Sequence, residues 1–305
     1  VSTESDKFGT SIAIGPELII AVGTPGAIDD GYYSGTCILF DYSPSSQTWV
    51  HAARITSYLG GGLFSEKVSF LPDDGGIPGF RALVVGAPSS QTAHMYSSHG
   101  PFDPWLDDVR SPTPIRLEDA IAAVGYDGGD DEQYDQWSIA ADGDRMVVGE
   151  TTAAGGDGQV RLYERDSNGQ WNLIHTWFAP EDYTYFGVDV DIDGDVVVIA
   201  DWYGSGSGGP GHGAVYAAVL QYWDNTWSDL MPLDGNQMGE TYDFGTSVAV
   251  DNGENPWNNL ATIAVGEGQN MWVPGGTGRV HLYNFSGWKS WHTGTILEPT
   301  NLLSI

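Results

Sequence analysis

The chain has 305 residues, 41% of them apolar and 12% aromatic, a composition that supports a buried core and excludes a disordered polymer. Asp and Glu outnumber Lys and Arg by 41 to 11, for a formal charge of −30. Such a surface repels phosphate backbones and anionic lipid, which argues against nucleic acid and direct membrane insertion and leaves divalent cations, cationic proteins and neutral glycans as partners.

The single cysteine excludes an intramolecular disulfide, and its place in the apolar run GTCILFDY makes Cys37 a small core residue. No apolar run approaches the roughly 18 residues that a spanning helix needs. The sequence opens at Val1 without a signal-peptide pattern, as expected of a processed chain or an excised piece.

Taken in chain order, the first elements are short strands. FGTSIAIG from residue 8 alternates apolar with small or polar residues, the period of a half-buried strand. ELIIAVGTP follows as a more continuously apolar strand, then GTCILFDY after a glycine-containing loop, then TWVHAARI. The same series begins again at FSEKVSFL from residue 64, with RALVVGAP and TAHMYSS behind it. The strongest helical signal of the chain, RLEDAIAAVG at 116–125, lies in the longest connection. DQWSIAAD from residue 135 opens a third series, with DRMVVGET, GQVRLYER and QWNLIHTW. FGVDVDID from residue 186 opens a fourth, with DVVVIADW, GAVYAAVL and TWSDLMPL, and FGTSVAVD from residue 244 a fifth, with LATIAVGEG, GRVHLYNF and WKSWHTGTIL.

Five four-stranded units, at about 1–57, 58–126, 127–182, 183–238 and 239–305, thus consume the whole chain. Units of this kind repeated radially predict an all-β protein, a single β-propeller domain over 1–305, in which each antiparallel blade buries its faces against its neighbours.

FGTSIAI, IIAVGTP and SGTCILFDY, with FSEKVSFL and LVVGAPSS, resemble FG-GAP repeats, the units of the integrin alpha-subunit N-terminal β-propeller. The third unit departs from the pattern with Asp135-Gln136 in place of Phe-Gly, and the second with Phe64-Ser65. Propellers of the resembling family have seven blades. Either five blades close the ring here, the favoured reading, or two lie outside the sequence; an open arc would expose apolar faces.

The resemblance also implies Ca²⁺, held in that family by a D-x-D-x-D-G-x-x-D loop between the first two strands of a unit. In VDNGENPWNN the oxygen donors are Asp251, Glu254, Asn255 and Asn258, the candidate metal set. DVDIDGD, with Asp189, Asp191, Asp193 and Asp195, fits a strand and tight hairpin better, because alternation spreads the first three acids over about 13 Å of one strand face.

Where the family has the alanine of GAP, this chain carries Glu150, Asp201 and Glu267. Aromatic residues crowd the same loops: Tyr32, Tyr33, Trp202, Tyr203 and Trp272 after second strands, Tyr134, Tyr185 and Tyr242 before first ones. Aromatic faces beside carboxylates suit sugar rings, so Glu150, Asp201, Trp202, Tyr203, Glu267 and Trp272 form the candidate ligand rim. Their alternative role is to satisfy backbone N–H groups and plug the seams.

The seven histidines form no H-E-x-x-H pair and no G-x-S-x-G elbow occurs. The expectation is therefore a non-catalytic binding or adhesion module, outside the cell, whose partner is a glycan or an extracellular protein. A sequon at Asn284, NFS, fits a secreted glycoprotein. The alternatives are a structural subunit of an extracellular assembly, with self-assembly or neighbouring domains as partners, and a carbohydrate-active hydrolase or lyase using two rim carboxylates.

Overall fold

The computed structural model describes residues 7–15, 18–29, 32–33, 35–56, 64–71, 81–87, 92–98, 106–107, 115–116, 137–151, 157–167, 170–182, 184–204, 212–221, 223–233, 244–253, 261–268, 278–285 and 291–297. Among them all regular structure is β, and five antiparallel sheets follow one another along the chain as the blades of a five-bladed β-propeller.

The first sheet has the order β1 (Ile12–Gly15), β2 (Ile19–Thr24), β5 (Thr36–Ser43) and β6 (Thr48–Thr56), with a small hairpin of β3 (Ile28–Asp29) and β4 (Tyr32–Tyr33) inserted before β5. The second runs β7 (Lys67–Leu71), β8 (Arg81–Ala87), β9 (Thr92–Ser98) and β10 (Leu106–Asp107), and β11 (Ile115–Arg116) also pairs with β9. The third is β12 (Trp137–Asp142), β13 (Arg145–Glu150), β14 (Gln159–Arg165) and β15 (Trp171–Phe178). In the fourth, β16 (Phe186–Asp193), β17 (Val196–Asp201) and β18 (Ala214–Gln221) are followed by an outer strand broken into β19 (Thr226–Trp227) and β20 (Met231–Leu233). The fifth is β21 (Phe244–Asp251), β22 (Thr262–Glu267), β23 (Arg279–Phe285) and β24 (Trp291–Leu297).

Each sheet falls inside one of the five sequence repeats. Of the helical stretch at 116–125, only Arg116 is described, and it pairs with Thr92 as a strand residue; the remainder lies outside the described residues.

The chain divides into two compact units, one of residues 1–127, 139–146 and 163–172, the other of residues 128–138, 147–162 and 173–305. In the first, Ile19, Ala21, Cys37 and Leu39 pack against Phe64, Val68, Phe70, Leu83 and Val85 of the following sheet. In the second, Val196, Val198, Val215, Ala217 and Leu233 pack against Phe244, Ile263, Val265 and Tyr283 in the same manner. Alternate residues of each strand therefore face opposite seams, and both faces of an internal blade are apolar, as the sequence alternation requires.

The Phe-Gly dipeptide makes the seam close. A Cβ added to Gly213 would sit 2.0 Å from the carbonyl oxygen of Phe244, and one on Gly158 2.3 Å from that of Phe186. The second residue of the dipeptide lies in the left-handed region, with φ of +87° at Gly187 and +85° at Gly245.

Ser65 takes the same conformation at φ 71° without being glycine. Its hydroxyl offsets that strain by donating to the Thr36 carbonyl at 2.5 Å and accepting the Thr24 N–H at 2.9 Å, both in the preceding sheet.

Candidate functional site

The three acids that replace the GAP alanine are buried, each in its own sheet with its own neighbours. Glu150 ends β13. Its Oε2 accepts from Gln159 Nε2 at 2.6 Å and pairs with the buried Arg161 guanidinium at 3.1 Å. Burial still holds its carboxyl above the usual range, with Arg161 and Gln159 opposing. Glu267 ends β22, and its Oε2 meets the fully buried His281 Nε2 at 2.6 Å, with Phe244 edge-on to the imidazole. In both sheets the partner lies on the third strand; in the fifth, His281 is two residues beyond Arg279, the residue opposite Glu267.

Asp201 ends β17 and differs from the other two. It is fully buried, and among the described residues neither carboxylate oxygen has a hydrogen-bond partner of ordinary geometry. The Thr184 hydroxyl and the N–H groups of Gly204 and Tyr203 are the polar groups that face it. Burial pushes its pKa up to about 7, the Thr184 hydroxyl lowers it and the nearby Glu181 carboxylate raises it further. Gly204 has no room for a side chain, since a Cβ there would lie 2.8 Å from Asp201 Oδ2. The same two acids raise Tyr216, whose phenol is held at about 12 by burial and then by Asp201 and Glu181.

Three aromatic rings gather in the loops that flank this end of β17. Tyr185, at φ 59°, stands before β16; Trp202 and Tyr203 follow β17. The Tyr185 ring is 6.2 Å from Trp202 and 5.5 Å from Tyr203, and the last two are 5.6 Å apart. The Tyr203 N–H donates to the Thr184 carbonyl at 2.8 Å, which ties the two loops together. Trp202 is half-buried and Tyr203 exposed, so the cluster offers an aromatic surface immediately after the buried Asp201 in the chain.

The remaining sequence candidates fall elsewhere. Trp272, Glu254, Asn255, Asn258, Tyr134 and Tyr242 lie outside the described residues. Asp251 is exposed, and its Oδ1 accepts the Gly253 N–H at 2.8 Å. Among the described residues no group of three or more acids, histidines or cysteines is gathered as for a metal ion. Asn284 is exposed on β23 beside Thr262.

The row Asp189, Asp191 and Asp193 has a structural task that the sequence did not disclose. These carboxylates accept the N–H groups of Val248, Val250 and Asn252 at 2.9, 2.8 and 2.8 Å, joining β16 to the edge strand of the next sheet. The signal was the alternation itself, repeated 59 residues later by the donors.

No protein-family model matches the chain, and no curated protein matches it. Among solved structures, a protein described provisionally as a 6-phosphogluconolactonase from Bacteroides uniformis is 8% identical, with 95% of this chain and 70% of that one covered at a TM-score of 0.51. At that identity the likeness shows the fold alone. A sucrose-6-phosphate hydrolase from Lactobacillus gasseri is 9% identical over 94% of this chain and 61% of that one, at a TM-score of 0.47. A thermostable family-43 glycoside hydrolase is 13% identical over 94% and 93%, at 0.41. The protein matched at a TM-score above 0.5 is described as an enzyme, which runs against the expectations of a non-catalytic binding or adhesion module and of a chain that is no enzyme. Those expectations rested on missing motifs, and chemistry by carboxylates spread over separate loops leaves no contiguous motif to find.

Proposed function

We propose that the protein is a carbohydrate-active hydrolase or lyase whose sugar platform is formed by Tyr185, Trp202 and Tyr203. The observation that carries this reading is the meeting of those three rings in the two loops that border Asp201, a carboxyl that keeps its proton up to about pH 7. Glycosidic bond cleavage asks for one protonated and one ionised carboxyl group beside a bound sugar. Asp201 is the proton holder at its Oδ atoms, and Glu181 is the carboxylate whose charge already acts on it. Because Asp201 is buried, delivery of its proton requires the turn through Tyr203 and Gly204 to move aside when a sugar stacks on the rings.

The recurring Phe-Gly dipeptides with left-handed glycines at 9, 187 and 245 support kinship with FG-GAP repeats, and the exposed Asn284 sequon supports an extracellular setting.

The reading is tested by incubating the folded protein with a panel of neutral and acidic oligosaccharides and measuring new reducing ends or unsaturated products. Wild type should release product, Asp201→Asn should lower kcat by about 100-fold or more, and Tyr203→Ala should act mainly on KM. Absence of product from every substrate, with native circular dichroism, would overturn it.

A further inference from the structure

The fourth repeat carries charge of one sign. From Asp166 to Gly278 the sequence holds no Lys and no Arg, while Asp and Glu recur throughout. The two arginines that bound this stretch stand in other sheets: Arg165 pairs with Asp144 in the third, and Arg279 lies opposite Glu267 in the fifth. Part of the negative charge falls in the loop that leads to Tyr185. Glu181 and Asp182 are exposed there, and the Glu181 charge reaches both Asp201 and Tyr216.

Two observations independent of the exposed acids point to a ligand at these loops. Asp201 is 0% exposed, and among the described residues neither of its carboxylate oxygens has a partner of ordinary geometry, although the polar groups that face it belong to Thr184, Tyr203 and Gly204 of the same two loops. A buried carboxyl in that condition is satisfied by a polar group of a ligand. Tyr203, the other observation, is 50% exposed and its ring is inclined by 53° to Tyr185 and by 68° to Trp202. Rings at such angles do not close on each other as one flat stack, and aromatic faces attract a cation as readily as the C–H face of a sugar.

Charge decides between the sugars that could stack here. A phosphorylated or carboxylated sugar would meet Glu181 and Asp182 with no Lys or Arg of the repeat to offset the repulsion, and a neutral one would leave both acids unused. An ammonium group suits the acids and the rings together.

We propose that the sugar taken by this site carries a free, protonated amine, with Glu181 and Asp182 receiving the ammonium group while Tyr185, Trp202 and Tyr203 receive the ring. The proposal rests on the carbohydrate reading of the same site and narrows it to amino sugars.

The test titrates the full chain, by calorimetry at pH 5.5, with tetramers of glucosamine, N-acetylglucosamine and galacturonic acid, all sulfur-linked so that they bind without being cleaved. The glucosamine tetramer should bind at least about tenfold more tightly than its N-acetylated counterpart, a preference that shrinks in high salt, and the galacturonic acid tetramer should give no heat. Glu181→Gln and Asp182→Asn should each reduce that preference and leave binding of the neutral tetramer within about twofold, whereas Tyr203→Ala should weaken both. Asp224→Asn, on the exposed turn after β18 at the other end of the sheet, should change neither. An equal loss in Asp224→Asn would mark general attraction to an acidic surface and overturn the proposal. Equal affinity for the two tetramers overturns it while leaving the sugar platform standing. No binding of any tetramer, in protein with native circular dichroism, overturns both.

Discussion

Asp191 holds two strands by one carboxylate: its Oδ2 accepts the Val250 N–H at 2.8 Å in the fifth sheet while its Oδ1 accepts the Ile192 N–H at 2.9 Å in its own. The same position in the second sheet is Ser69, whose hydroxyl accepts the Ala141 N–H at 3.2 Å. Edge strands expose unpaired N–H groups, and both side chains cap them. Asp191→Ala should therefore destabilise the protein by about 1–3 kcal/mol, measured by urea denaturation, because it strands two partly buried donors.

Acidity should strengthen the fold before it weakens it. Burial pushes Asp191 up to about 6, with Asp189 and Asp193 adding to the rise against two backbone hydrogen bonds, and Asp201 reaches about 7. Both folded values exceed the unfolded ones, so each group contributes stability that is complete below the unfolded pKa near 4 and is lost as pH rises through 6 to 7. The melting temperature should be higher at pH 5 than at pH 8. Asp201→Asn should remove part of that slope and raise stability at pH 8; a slope unchanged in this variant would contradict the assignment.

The Glu150 and Arg161 pair should behave asymmetrically. Arg161→Met leaves a carboxylate buried without its counter-charge and should cost about 3–5 kcal/mol, whereas Glu150→Gln combined with Arg161→Met should cost far less. A double-mutant cycle by chemical denaturation measures the difference.

Cys37 is buried in the first seam, and desolvation pushes its thiol up to about 12. It should resist aromatic disulfide reagents in the native state at pH 8 and react at the rate of a free thiol in denaturant. Rapid labelling of folded protein would show that the seam opens locally.

Ser65→Ala should destabilise by about 1–3 kcal/mol, and Ser65→Gly by less, since glycine relieves the backbone strain while losing the same two hydrogen bonds. Thermal unfolding of both variants separates strain from hydrogen bonding.

Much of the fold could be read from residue patterns because its repeats are local. Strand alternation, the Phe-Gly dipeptides and the Asp-Gly-Asp hairpins at 142–144 and 193–195 need only neighbours in sequence. What escaped the reading depends on partners far along the chain. Ser65 looks like a lapse in the motif until Thr24 and Thr36 are found beside it. Glu150 and Glu267 looked like rim acids because the loop was read and the third strand was not; Arg161 and His281, polar residues inside apolar strands, were the available clue. The aromatic cluster was half legible, since Tyr185, Trp202 and Tyr203 had been assigned to loops at one end of the blade, but the full burial of Asp201 required coordinates.

Where Gly213 abuts Phe244 and Gly158 abuts Phe186, the touching atoms belong to the main chain. A joint made by peptide groups does not depend on which side chains decorate it, so sequence can drift widely around such joints while the spacing between neighbouring blades stays fixed. Copies of one ancestral hairpin pair could diverge almost beyond recognition and still be mutually interchangeable.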